Sequence, residues 1–326
     1  MSDTPHVAVT GAAGFIGSRV VGDLARAHPD WTLTALDNFY LGEVREVEGV
    51  PVEHVDIRHR EELAEALADA DAVVHLAAIS GVDDCEQHPD RAYEVNVAGT
   101  ANVAYCCRQT GAALAFPFSM AVIGDPPGFP ITADTRRDPL NWYGETKVLG
   151  ERTIETMADG AFPAHLFMIS NLYGEHTVGD RTVSKNTVIN FFVERALAGK
   201  PLTVYEPGSQ ARNFIHVRDV SAAFVASVEQ LLADRTAGET GARAFEVASD
   251  EDPSVLAVAE MVQRVANEKR DIDVDVEIVE NPRSGETLVD EFGVDTSTIE
   301  QELDWRPERS VEASIRELLS PADHEM

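Results

Sequence analysis

The stretch WYGETK, Trp142 to Lys147, sets a tyrosine and a lysine four residues apart in a segment with helical patterning. On a helix, residues four apart lie one above the other on the same face, so the Tyr143 hydroxyl and the Lys147 ammonium can reach one small site. A phenol with its ordinary pKa near ~10 is a poor base at neutral pH, but a fixed ammonium favours the phenolate and lowers that value. Such a pair could move a proton on and off an alcohol. The same spacing also arises from a half-buried tyrosine beside a solvated lysine, so the rest of the chain must separate the two.

A second constellation is TGAAGFIGS, which spaces Gly11, Gly14 and Gly17 between a strand pattern and a helix pattern. Gly11 permits a tight turn, Gly14 lets backbone approach a pyrophosphate, and Gly17 lets the helix lie against the sheet. The helix N-terminus then favours the phosphate charge. The next strand pattern ends at Asp37, whose carboxylate can accept both hydroxyls of an adenosine ribose and would repel a 2′-phosphate. No arginine directly follows in DNFY, so the residues favour NAD over NADP.

The elements that must carry these groups alternate. Strand-like runs fall at 6–10, 31–36, 52–56, 72–77 and 113–118, with amphipathic segments near 15–27, 60–69, 90–110 and 141–158. Repeated βαβ order predicts an α/β fold, a Rossmann doubly wound parallel sheet covered by helices on both faces. Beyond 165–169 the rhythm changes to short strands and helices broken by Gly and Pro. We therefore expect a nucleotide-binding domain over 1–171, rejoined by a helix and strand at about 216–249, and a smaller C-terminal substrate-binding lobe over about 172–215 and 250–326.

The 326 residues carry 57 acids against 26 bases, a net charge of −31, and only four lysines: Lys147, Lys185, Lys200 and Lys269. Such an excess argues against nucleic acid or an anionic membrane as a partner, because phosphates are repelled. Spread through helices, the acids fit a globule adapted to high salt, and a halophilic source is the expectation. No apolar window reaches the ~18 residues of a membrane span and no apolar leader opens the chain, so a cytoplasmic protein is expected. Cys85, Cys106 and Cys107 lack paired metal-ligand spacing and read as reduced packing residues; no metal is expected.

TGAAGFIGS, DNFYLGEVRE, VDIRH, HLAA, NVAGT, FSMAVIG, WYGETK, NLYGEH, ARNFIHVRDV and LDWRP follow one another in an order that resembles the extended short-chain dehydrogenases/reductases. The likeness is closest to the nucleoside-diphosphate-sugar epimerases, in particular those interconverting UDP-glucose and UDP-galactose, and it spans residue 6 to about 315. It implies that Tyr143 is the proton shuttle, that Lys147 lowers its pKa and bonds the nicotinamide ribose, and that Ser119 holds the sugar hydroxyl. It places Asp56 and Ile57 beside the adenine and Ala77, Ala78 and Asn96 along the cofactor cleft. Phe15, Ile16 and Asn38 complete the implied NAD contacts. Asn96 could equally cap a helix or bond a strand, and His75 reads as a packed strand histidine.

For a nucleotide-sugar substrate the resemblance assigns Asn171, Arg212 and Arg283 to the diphosphate, where fork-shaped guanidinium donors suit phosphate oxygens. Asp295 would hold the ribose or base, or cap a helix. Departures from the pattern are Phe118, Ile123 and Met168, which we expect to line the sugar end of the cleft, and a longer NPRSGETLVDEFGVD. The acid that follows the serine or threonine in related dehydratases and decarboxylases is missing: Met120 and Ala121 stand there. The implied activity is NAD-dependent 4-epimerisation through a 4-keto sugar, with a homodimeric assembly. A dehydrogenase that releases NADH is the alternative, and a cofactor-sensing binding protein would have no need of Tyr143 and Lys147.

The charge generates one expectation that needs no site. Moving from molar salt to dilute buffer lengthens the screening distance from ~3 Å to ~10 Å or more, so carboxylate repulsion should loosen the fold and lower activity. Circular dichroism and activity unchanged by dialysis to low salt would rule out salt adaptation.

Overall fold

A computed structural model describes residues 4–282 and 287–320. Its main sheet contains β1 (His6–Thr10), β2 (Thr32–Asp37), β3 (Glu46–Val47), β4 (Val50–His54), β5 (Ala72–His75), β6 (Ala113–Ser119), β7 (Pro163–Ile169) and β8 (Gly241–Val247). The spatial order is β8-β7-β6-β5-β1-β2-β4-β3, and every pair is parallel except β3 with β4. Chain order reverses between β1 and β5. Ligands of doubly wound sheets bind at that reversal, beyond the carboxyl ends of the strands.

Side-chain alternation divides the core in two. From β1, Val7 and Val9 face helices α1 (Phe15–Ala27) and α6 (Val217–Ala237), whereas Leu114, Phe116 and Phe118 of β6 face α2 (Arg60–Ala66), α3 (Thr100–Thr110) and α4 (Trp142–Ala158). With both faces covered, β7 is buried along its whole length, which explains its near-continuous apolar run. The expected helix at 90–110 is interrupted. Pro89–Tyr93 leads into a π-helical turn, Glu94–Gly99, before α3 begins. Within that wide turn Asn96 is buried, and a Cβ on Gly99 would come within 2.5 Å of Ile57 Cδ1. Periodicity alone does not report such a local widening.

A third core unites Tyr173, Ile189 and Phe192 with Val258, Val262 and Ile315, drawn from α5 (Val188–Leu197), α7 (Val255–Arg270), α8 (Val311–Leu318) and short strands. Asn171–Tyr173 pairs in parallel with Phe214–His216, and Glu175–Val178 forms an antiparallel ribbon with Arg181–Ser184. The segment after 295 differs from a simple lobe assignment. Ile299, Leu303 and Trp305 pack with the α1 and α6 face of the sheet, and the Trp305 indole donates to the Asp219 carbonyl at 2.9 Å.

The first βα turn fixes how these parts meet. Gly11 has φ +73°, and a Cβ there would lie 2.5 Å from the Ala77 nitrogen. On Gly17 it would lie 2.0 Å from the Gly11 oxygen, an impossible approach, whereas on Gly14 the nearest heavy atom would be 3.2 Å away. Gly17→Ala should therefore cost about 1–3 kcal/mol or more by overpacking, and Gly14→Ala should cost less. Urea unfolding of the two variants measures the difference; equal midpoints would contradict this account of the turn.

Candidate active site

The glycine turn and the end of β2 form one continuous wall. Helix α1 starts at Gly14 with no side-chain cap and no acidic residue in its first turn, so its N-terminal field is left for an anion. Phe15, Ile16 and Gly17 form that first turn. Asp37 sits behind it, buried, with Oδ2 accepting from Ala13 N at 3.1 Å and Oδ1 from Phe39 N at 2.6 Å. Burial raises its pKa, partly offset by these two backbone donors. Each carboxylate oxygen keeps a second lone pair, which is what a ribose diol requires.

Asp56 has a different employment. Arg58 grips it through Nε and Nη2, and Asn38 donates to its Oδ2 at 3.1 Å. The Arg58 hydrogen bonds hold its carboxyl far below the usual range. These bonds fix Asn38 and the loop of Asp56 itself, and Ile57 beside it is buried and apolar.

On the other side of β1 the loop after β5 is held by Asn96. Its Oδ1 accepts from Ile79 N at 2.8 Å, and its Nδ2 donates to Ile79 O at 2.9 Å and to Thr146 Oγ1 at 3.1 Å. One buried amide therefore clamps the loop carrying Ala77 and Ala78 to the helix carrying Tyr143. His75 is packed, with its ring nitrogens on Thr10 and Thr100 hydroxyls, and burial pushes its pKa down to about 3.

Tyr143 enters this space from α4, whose start is capped by Asn141 through Gly144 N at 3.0 Å. Gly144 allows the approach: a Cβ there would stand 2.8 Å from the Ala121 oxygen. The approach brings the phenol beside Ser119 at the end of β6, close enough for the serine hydroxyl to pull the phenol pKa down against burial. Ser119 also accepts from Ala121 N at 3.2 Å, which orients it. Lys147 is buried one turn on, with Nζ 5.9 Å from the Tyr143 ring centre and 3.5 Å from the Pro117 oxygen.

The electrostatics of this pair differ from the expectation of a lysine-lowered phenol. Burial raises Tyr143 to about 12, with the neighbouring Ser119 hydroxyl pulling the other way. Burial lowers Lys147 to about 8, and the charge of Lys185 adds to that direction. Low polarity penalises phenolate and ammonium alike, and at this separation the lysine does not outweigh it.

The expected substrate residues are more dispersed. Asn171 Nδ2 donates to the Asn213 carbonyl at 2.9 Å, and the Arg212 guanidinium reaches the Ala211 and Thr287 carbonyls at 2.8 and 2.7 Å. Arg283 lies outside the described residues. Asp295 is half-buried and accepts from Ser297 N at 2.9 Å, as a helix-start residue does. Phe118, Ile123 and Met168 do not line a cleft: all three belong to the core between the sheet and α4, because the β6 pleat turns Phe118 away from the direction of Ser119.

Two residues near the pair escaped the motif reading. Cys85 is buried and free, with Sγ 3.6 Å from the Ile79 oxygen, and burial raises it to about 11, so it remains a thiol. Lys185 places Nζ 2.7 Å from Ser80 Oγ across the cleft. Its signal was available as one of four lysines in an acidic chain, but no spacing linked it to Lys147.

The two shifts give opposite pH signs. Between about 8 and its unfolded value of 10.5 Lys147 is protonated only in the unfolded chain, so stability gains with pH there. Tyr143 binds its proton more tightly when folded, so its contribution is lost as pH rises from 10.0 towards about 12. Comparing melting temperatures from pH 7 to 10, the wild type should gain relative to Lys147→Met above about pH 8. Parallel curves would show that the ammonium is not desolvated.

The matching family model, the NAD dependent epimerase/dehydratase family, covers residues 7–240. The chain is 27% identical over 347 residues to a UDP-glucose 4-epimerase of Caenorhabditis elegans, covering 96% of each protein. It is 29% identical over 311 residues to a dTDP-glucose 4,6-dehydratase of Mycobacterium tuberculosis, covering 93% of this chain and 88% of the relative. Among solved structures, the fold superposes on UDP-glucose 4-epimerase from Thermotoga maritima with UDP-glucose at TM-score 0.83, 21% identity and coverage of 96% and 97%. The corresponding enzyme of Bifidobacterium longum, with NAD+ and UDP, gives 0.82 at 22% identity and the same coverage. With the model spanning well over half the sequence, the chain belongs to the NAD dependent epimerase/dehydratase family.

Proposed function

We propose that the chain is an NAD-dependent nucleotide-sugar epimerase acting at C4 of a UDP-hexose, with UDP-glucose and UDP-galactose as the pair to test first. The observation that carries this reading is the Ser119–Tyr143–Lys147 cluster at the carboxyl end of β6, beside the glycine turn and with no acid after Ser119. The uncapped start of α1, the side-chain-free Gly11 turn and the paired acceptor Asp37 suit a dinucleotide. Gly11, Gly14, Phe15, Ile16, Gly17, Asp37, Asn38, Ile57, Ala77, Ala78 and Lys147 would hold it, with Asp56 and Asn96 positioning their loops. When bound, NAD takes up and returns a hydride and brings the positive charge of its nicotinamide.

Within that setting Tyr143 Oη receives the proton of the C4 hydroxyl and later returns it. Ser119, beside the phenol, holds the same hydroxyl and keeps the proton path short. Lys147, with its burial-lowered pKa of about 8, is protonated at neutral pH and helps the phenolate form. A phenol at about 12 is too weak a base alone, so a further positive charge is needed to bring it into range. Elimination of a neighbouring hydroxyl needs a positioned acid, and Met120 and Ala121 offer none, which favours epimerisation over dehydration.

We also propose the division into a nucleotide-binding domain of 1–171 with 216–249 and a substrate lobe of 172–215 with most of 250–326. A homodimer through α3 and α4 fits the exposed Tyr105 and Leu149 on those helices. A cytoplasmic, salt-adapted protein fits the net charge of −31, and no helix among the described residues is long and apolar enough to cross a membrane.

Tyr143→Phe keeps the ring and removes the oxygen, so epimerisation should fall about 10²–10⁴-fold while NAD still binds. A folded variant with near-wild-type interconversion of UDP-glucose and UDP-galactose would sink the mechanism. Absorbance at 340 nm that grows with product in the wild type would transfer the same residues to a dehydrogenase.

A further inference from the structure

Two of the four lysines in this chain meet at one site, Lys147 buried and Lys185 half-buried. Lys147 donates to the Pro117 carbonyl at 3.5 Å and lies over the Phe116 and Tyr143 rings, and Lys185 bonds Ser80 through Oγ at 2.7 Å and the carbonyl oxygen at 3.4 Å. These are neutral acceptors, and neither ammonium is ion-paired with a carboxylate among the described residues. In a protein with 57 acids that arrangement calls for an explanation. A desolvated ammonium without an anion is costly, and its usual resolution is a partner of opposite charge.

The backbone around Lys185 is built to hold it there. Asn190 donates to the Lys185 carbonyl at 2.9 Å and exchanges hydrogen bonds with both backbone groups of Gly174 at 2.7 and 2.9 Å. The residue thus stands between the ribbon Glu175–Ser184 and α5, and its side chain crosses from there to the loop following β5. That loop borders the reversal between β1 and β5, where a dinucleotide belongs. Burial lowers the Lys185 pKa, while Asp84 and Cys85 act through space to raise it.

We propose that Lys185 is a diphosphate-binding residue, whose ammonium takes a phosphoryl oxygen of a nucleotide in the cleft in exchange for, or in addition to, the Ser80 hydroxyl. This deepens the nucleotide-sugar reading and rests on it. Both NAD and the sugar nucleotide carry that chemistry, so the ligand that depends on Lys185 identifies the source. Its place on the far wall also makes it a contact between the lobes that strengthens when the anion is present.

The test is calorimetric titration of NAD and of UDP into full-length wild type, Lys185→Met and Lys185→Arg at constant salt, with melting temperatures measured without ligand. Lys185→Met should bind one or both ligands about 10- to 100-fold more weakly, the worth of a charge-assisted hydrogen bond, and Lys185→Arg should retain most of the affinity. Without ligand, Lys185→Met should melt at or above the wild-type temperature, because a half-buried charge with no carboxylate beside it has been removed. Unchanged affinity of Lys185→Met for both NAD and UDP would overturn the proposal, as would a lowered melting temperature with affinities intact, which marks a purely structural bridge. A wild type that binds neither ligand would refute the nucleotide-sugar reading itself, and this inference with it.

Discussion

The contact on which the rest depends is between two backbones. At Gly11 the chain turns through a left-handed conformation while lying so close to the end of β5 that a single added carbon would meet Leu76 and Ala77. Because the turn is pressed there, α1 can begin directly above the reversal of strand order, and Gly17 lets it lie down over the same turn. Its free N-terminus is thereby aimed into the crevice. Asp37 secures the arrangement from one side through Ala13, and Asn96 secures the β5 loop from the other through Ile79. The turn is rigid on both flanks before any side chain does chemistry.

Against that frame the reacting groups sit in a medium that opposes charge. Tyr143 and Lys147 are each shifted towards their neutral forms, to about 12 and about 8. Burial sets the sign of both shifts, and the neighbouring Ser119 hydroxyl moderates only that of Tyr143. A site of this kind is sensitive to any charge that enters it, because the same low polarity that penalises an isolated ion magnifies its interaction with a neighbour. Tyr143 is thereby kept as a neutral phenol, and no phenolate is exposed to water at neutral pH.

Much of this was legible in the residues because periodicity and glycine spacing report backbone geometry directly. The β/α alternation, the glycine turn and the position of Asp37 at a strand end all followed from patterns of two, of three to four, and of six. Helix α1 appeared with the limits its pattern predicts. The pKa of Tyr143 was not legible, since four-residue spacing fixes a shared helix face but not the burial of that face. The π-helical turn at Glu94–Gly99 was also invisible, because it is set by what Asn96 and Gly99 meet across the fold. Lys185 lies 38 residues after Lys147 in sequence and meets the site only through tertiary structure.

The residues that depart from the family pattern teach the same lesson about burial. Met168 and Glu246 are register partners on β7 and β8, both buried, so the carboxylate has a thioether and not a cation beside it. Glu246 therefore turns to the backbone of Ala133, in a loop whose neighbour Ile131 bridges to Val294. Its pKa is raised by burial, and its second oxygen has no hydrogen-bond partner among the described residues. A buried carboxylate in this state favours protonation, and a protonated one would no longer burden the core with charge. Met168 thus leaves Glu246 to tie the end of the sheet to the loop that carries Ile131, and burial in place of ion pairing decides how that connection is made.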